Sequence, residues 1–183
     1  MTKRLLTELE TAIGRKMRTP RDFALLHELI FQRLHENVSP STLKRLWGYF
    51  PAVEPRESTL TILARFLGYR DWEAYCSGED HALPSSPIIG RWLDVDYDLS
   101  PGSLVKLTWA PGRVCIIKYE GKQRFVVVSS EATRLQPDDT FECMAMIDEQ
   151  PLYLHNLQHD GQPPVAYVCG LRSGIHYELL FQG

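Results

Sequence analysis

A chain of 183 residues, 44% of them hydrophobic, can bury one large core or two small ones, which argues against disorder. Its net charge of −3 excludes a uniformly basic polyanion binder, but the charge is divided: residues 1–78 carry 12 Lys/Arg and 9 Asp/Glu (+3), residues 79–183 carry 8 and 14 (−6). No run of about 18 apolar residues suggests a membrane span, and Glu8 and Glu10 spoil a signal-peptide reading of the first residues, so a cytoplasmic protein is expected.

The first part reads as helices. Residues 3–17 place Leu6, Leu9, Ile13 and Met17 on one face. A second helix starts at Thr19-Pro20-Arg21-Asp22, where Thr19 can cap, Pro20 suits the first helical position, and Asp22 favours the positive helix start. Its apolar face is broad, with Phe23, Leu26, Ile30 and Leu34 flanked by Leu25 and Leu29. Ser39-Pro40 repeats the start signal for a third helix. There Leu43, Leu46, Trp47 and Phe50 face inward at i, i+3, i+4 and i+7, with Ser41, Lys44, Arg45 and Gly48 opposite. A fourth helix begins near Ser58 and carries Leu60, Leu63, Ala64 and Leu67 inward, and Gly68 suits a left-handed end. Asp71–Tyr75 reads as one more short helical piece.

Residues 77–90 lack periodicity and read as a linker. Beyond them the period drops to two. Strands are expected at Val105–Trp109, Val114–Tyr119, Phe125–Val128, Phe141–Ile147, Val165–Cys169 and Ile175–Leu180, with a short one at Leu152–Leu154. Short strands at this density suggest a small antiparallel barrel or sandwich. Gly170–Gly174 reads as a hairpin turn between two of them.

The segment Asn37–Tyr49 concentrates the functional signal. A turn-and-helix that meets DNA needs a turn residue tolerant of unusual backbone angles, an anchored inner face and an outer face of donors. Asn37 tolerates the left-handed region. The apolar quartet supplies the anchor. Ser41, Thr42, Lys44 and Arg45 supply the outer face, with Tyr49 open between a phosphate contact and packing. Trp47 lies on the apolar stripe and reads as core. Arg15, Lys16, Arg18 and Arg21, just before the second helix, are candidates for phosphate contacts. The plainer alternative is a solvated basic face.

The run Asn37-Val38-Ser39-Pro40-Ser41-Thr42-Leu43-Lys44-Arg45-Leu46 resembles the Cro/C1-type helix-turn-helix family of repressors, and Gly48 resembles the glycine after that family's recognition helix. Ser58–Gly68 is similar to its next helix. The resemblance covers roughly residues 37–75 and implies double-stranded DNA as partner. Gln32 and Arg33 stand where that family has a Leu-Ala pair. Through Ser41–Tyr49 and Gly68–Trp72, the whole chain also resembles two-part Bacteroidetes proteins, a likeness that implies no activity.

Other constellations are weaker. His155 and His159 have the spacing of a helical zinc site, but Asn156 replaces the glutamate such sites need, and the local sequence is strand or loop. Asp94, Asp96 and Asp98 lack the further oxygen ligands and glycine of a calcium loop and read as a solvated acidic strand edge. Cys76, Cys115, Cys143 and Cys169 have no paired spacing and read as reduced thiols. No spacing suggests a nucleophile supported by histidine and carboxylate. Glu178–Gly183 resembles a picornaviral 3C protease cleavage sequence and also continues the last strand's apolar pattern.

The sequence therefore suggests an α+β chain. An all-α, helix-turn-helix-like bundle spans 1–76, a linker 77–90, and a small antiparallel β-barrel or sandwich 91–183. The leading expectation is a DNA-binding transcriptional regulator. It is not an enzyme and has no cofactor or metal. Its β-domain forms a homodimer or binds a small molecule or protein. The rival is a protein-interaction or adaptor module without DNA contact. A third option, RNA binding by the barrel through Arg113, Lys118, Lys122 and Arg124, has that domain's acidity against it.

Overall fold

The computed structural model describes residues 1–51, 54–78 and 90–183. It divides into two compact units, 1–90 and 91–183. The first unit is helical and the second is built on an antiparallel sheet. Most of the expected linker, residues 79–89, lies outside the described residues. Of its remainder, Ser77 ends a helix and Gly78 caps it in the left-handed region. Among the described residues no helix is long and apolar enough to cross a membrane.

In the first unit, α1 spans Thr2–Ile13 and buries Leu5, Leu9 and Ile13. Leu5 takes the inward place expected of Leu6, and Met17 is buried beyond the helix end. The second helix, α2 (Pro20–Leu34), starts as its sequence dictates. Thr19 and Asp22 form a reciprocal capping box with Pro20 in the first turn. Its left-handed C-cap is His35 (φ 56°), so the unusual turn backbone falls two residues before Asn37. His27 of α2 donates from Nδ1 to the Val38 carbonyl at 3.1 Å, which ties the turn back to the helix.

The third helix, α3, spans Pro40–Leu46. Leu43 is fully buried and Leu46 and Trp47 are half-buried, but Phe50 is 48% exposed, so the expected inner quartet is only partly inward. Gly48 takes a φ of 81°, beyond the reach of most side chains, and ends this helix. Next, α4 (Glu57–Phe66) buries Leu60, Leu63, Ala64 and Phe66, and Gly68 is left-handed after it. The last helix of the unit, α5 (Trp72–Ser77), is capped by Asp71, whose carboxylate accepts from the Ala74 amide at 2.8 Å. The long helix α2 packs on α3 and α4, while α4 also meets α1 and α5.

The second unit opens with β1 (Trp92–Asp94) and the single helical turn α6 (Val95–Asp98). The three aspartates are therefore not a solvated strand edge. Asp94 is buried, Asp98 accepts from the Asp94 amide, and Asp96 accepts from the Tyr119 hydroxyl at 2.5 Å and from Gln123 Nε2 at 2.9 Å. The strands β2 (Leu104–Trp109), β3 (Arg113–Gly121) and β4 (Arg124–Glu131) run antiparallel in succession. The apolar run at 141–147 is not one strand. It splits into β5 (Thr140–Glu142), which pairs with β4 and β7, and β6 (Ala145–Ile147), which pairs with β1. The set is completed by β7 (Leu152–Gln158), β8 (Val165–Cys169) and β9 (His176–Phe181).

The main sheet has the order β8-β7-β5-β4-β3-β2-β9 and is not closed into a barrel. Gly170–Gly174 is thus not a hairpin turn, because it joins the two edges of the sheet. A flat sheet of seven strands would span about 29 Å edge to edge. Seven residue steps reach at most about 25 Å, and this link folds back with the Gly174 amide on the Gly170 carbonyl at 2.8 Å. The sheet is therefore strongly coiled around one core, to which Val105, Leu107, Ile117, Phe125, Phe141, Leu154 and Cys169 contribute. Cys169 and Ile175, beside this link, are fully buried, whereas Val165 and Phe181, at the far ends of the two edge strands, are 55% and 58% exposed.

Candidate functional site

The strongest site follows from how the first unit handles its cations. Ser39 caps α3 through Oγ, which accepts from the Thr42 amide at 3.2 Å and lies 2.9 Å from the Thr42 hydroxyl. With that start fixed, Ser41 and Arg45 stand one turn apart on the exposed side, and Lys44 and Thr42 are half-buried beside them. The inner side is held by Leu43 and by Trp47, whose indole donates to Glu10 of α1 at 3.1 Å and whose ring meets Phe23 edge-on at 5.7 Å.

Glu10 gathers three donors: Trp47 Nε1, the Met17 amide at 3.1 Å and Lys16 Nζ at 2.8 Å. Burial pushes its carboxyl upward, but Lys16, the Met17 amide and the Trp47 indole together hold it below the usual range. Asp22 behaves alike at the start of α2. Burial raises it. The Thr19 amide and hydroxyl, the Arg18 amide and the Arg15 charge outweigh that and hold it low.

These carboxylates sort the sequence candidates. Arg15, mostly buried, lies 3.8 Å from Asp22, and Lys16 is bound to Glu10. Arg21 is half-buried and also has a partner. Tyr49 is exposed, yet its hydroxyl donates to the Met17 carbonyl at 3.1 Å, with the Arg18 carbonyl at 3.4 Å, and its ring lies edge-on to Phe23 at 5.4 Å. Among the described residues of this unit, Arg18, Lys44, Arg45 and Arg56 carry no ion pair and no hydrogen bond from the side chain; Lys3, near the chain start, is alike.

Arg56 was not among the sequence candidates: it stands between Glu54 and Glu57, so no run of cations marks it. It is the N-cap residue of α4 and has no side-chain cap bond. It shares with Arg45 the wall of a concavity of about 340 Å³, which Thr42, Thr59 and Glu54 also line. Three of the unpaired cations therefore lie on α3 or across this concavity from it.

The second unit offers one other arrangement. The buried Asp139 accepts from His159 Nδ1 at 2.5 Å and from the Gln136 amide at 2.8 Å, beside a concavity of about 580 Å³ lined by Asp138, Thr140 and Asp160. No serine or cysteine lines it, so no activated nucleophile of the serine or cysteine kind forms there. His155 lies within β7 and His159 just beyond it, and among the described residues no group of three His, Cys, Asp or Glu is arranged to hold a metal ion. Cys115, Cys143 and Cys169 are buried and Cys76 is partly so. Burial pushes the Cys115 thiol up to about 12 and raises Cys169 as well, so neither supplies a thiolate near neutral pH.

No family model, no curated protein and no solved structure matches the chain.

Proposed function

We propose that the first unit is a helix-turn-helix-like DNA-binding bundle that docks α3 against duplex DNA, in a transcriptional regulator. The observation that carries this reading is the concentration of cations without carboxylate partners on α3 and at the start of α4, in a unit whose other cations are mostly neutralised internally. An unpaired arginine or lysine on a fixed surface gains most from a phosphate, because binding releases condensed counterions and no internal bond is lost. Ser41 and Arg45 face the groove, while Lys44, Arg18 and Arg56 meet the backbone. Arg15, Lys16 and Tyr49 support the fold around the site. A helix of seven residues makes few contacts, so two protomers supply useful affinity, and the β-unit serves dimerisation or the binding of a ligand or partner.

The test is fluorescence anisotropy with labelled random duplexes over a salt series. Three to four neutralised phosphates per protomer give a log–log slope of about −3 to −4. The Lys44→Ala/Arg45→Ala variant, folded normally, is expected to bind about 100-fold more weakly at low salt, consistent with the loss of two phosphate or base contacts. Unchanged binding by that variant would sink the assignment. The adaptor reading has one observation in its favour. Phe50 and Tyr49 expose apolar surface beside the same cations, as a protein-binding face does. Absence of duplex binding at any salt favours that reading.

A further inference from the structure

Resting on the DNA reading above, we infer that α3 discriminates a single base, guanine, and does so through Arg45 alone. The argument is one of elimination over an exposed face that is chemically poor. Helix α3 reads Pro-Ser-Thr-Leu-Lys-Arg-Leu and carries no Asn, Gln, Asp or Glu. The side chains that pair bidentately with adenine or accept from the cytosine amino group are therefore missing. Thr42 has its hydroxyl 2.9 Å from the capping oxygen of Ser39 and its amide on that same oxygen, so its polar groups serve the helix start. Tyr49 gives its one phenolic proton to the Met17 carbonyl. Ser41 is exposed, but a lone hydroxyl both donates and accepts and does not choose between bases.

Lys44 and Arg45 remain, and they differ in two respects. Lys44 is half-buried and presents a point charge, which suits a phosphate. Arg45 is exposed, one turn beyond Ser41, and has no partner among the described residues. Its planar fork presents two parallel N–H donors. In the major groove that pattern matches the O6 and N7 acceptors of guanine and of no other base. The concavity that Arg45 lines is also lined by Arg56 and Glu54, one charge of each sign, and neither forms an ion pair with Arg45. Duplex binding offers Arg45 two acceptors in fixed geometry.

The experiment selects bound duplexes from a random pool with the intact protein, then compares the selected duplex with versions carrying 7-deazaguanine, which lacks the N7 acceptor, at each guanine in turn. Replacement at one guanine per half-site is expected to weaken binding about ten-fold, with replacements elsewhere near neutral. Arg45→Ala should abolish that difference, and Arg45→Lys should not restore it. Lys44→Ala should weaken all duplexes alike and keep the guanine preference. Salt-dependent duplex binding with no sensitivity to 7-deazaguanine overturns the inference and leaves the DNA reading standing. An Arg45→Ala protein that keeps the guanine preference also overturns it. Absence of duplex binding overturns both.

Discussion

Helices α2 and α3 begin with the same kind of signal, a hydroxyl residue followed by proline, and end up electrostatically opposite. At the start of α2, Asp22 fills the positive end of the helix. It accepts from the Thr19 amide at 2.7 Å, the Thr19 hydroxyl at 2.8 Å and the Arg18 amide at 3.1 Å, and Arg15 lies close by. That helix end carries its own anion. At the start of α3, Ser39 caps with a neutral hydroxyl, no acid stands in the first turn, and Lys44 and Arg45 follow. A helix that needs stability neutralises its dipole locally. In α3 the two cations stand in the last turn, where they complement the negative end of the helix, and the positive end carries no carboxylate of its own.

The comparison can be broken at either end. The largest effect on stability should come from Asp22→Ala. This variant opens the capping box and leaves the Arg18 and Thr19 amides without their acceptor. We expect a loss of about 2 kcal/mol in urea unfolding, with little change in duplex binding. The same carboxylate predicts a pH signature. Its folded value is held below that of the unfolded chain, near 3.9. Its stabilisation is therefore complete above that pH and disappears as pH falls through the lower, folded value. Wild type should lose stability faster than Asp22→Asn below about pH 4; parallel curves would show that Asp22 is not the anion that stabilises the start of α2.

Next in size is Trp47→Phe, which keeps an aromatic ring against Phe23 but removes the donor to Glu10. A loss of about 1 kcal/mol is expected, and in a double-mutant cycle with Glu10→Gln the two changes should be non-additive. Additive behaviour would mean that the bond does not anchor α3. The smallest effect belongs to Ser39→Ala, at about 0.5–1 kcal/mol, measured by thermal melting. An effect as large as that of Asp22→Ala would erase the contrast between the two helix starts.

The sequence was readable where the chemistry is local. Thr19-Pro20, Ser39-Pro40 and Asp71 mark helix starts because each side chain bonds a backbone amide within three residues. Gly68 marks an end because its φ is positive. Legibility fails where a partner is distant. Nothing in Phe141–Ile147 says that the strand breaks and changes partners from β4 to β1. The alternation of Asp94, Asp96 and Asp98 mimics a strand, yet Asp96 answers to Tyr119 and Gln123, more than twenty residues away. On α3, the exposure of Ser41 and Arg45 was readable from helical period alone, while Lys44, expected on the same face, is half-buried. The removal of Lys16 and Arg15 was not readable, because Glu10 and Asp22 reach them across a loop with no periodic spacing. Asn37 offered the commoner left-handed residue, but α2 ran only to Leu34 and placed His35 there.

The coiled sheet has a kinetic consequence. Its strand β2 pairs with β3 just across a tight turn, but its other edge waits for β9, with Thr108 opposite His176 after 68 intervening steps of chain (176 − 108). Loop-closure entropy is spent before that contact returns anything, so β9 docks late, onto a meander of β2, β3 and β4 already formed. The Gly170–Gly174 turn then brings β8 to the opposite edge in the same event. Gly174 allows this because its backbone lies against Glu149, where an added Cβ would come within 2.3 Å of the Glu149 carbonyl. The second unit is thus expected to fold slowly and in one final step, while the helical unit, with its shorter-range contacts, forms first.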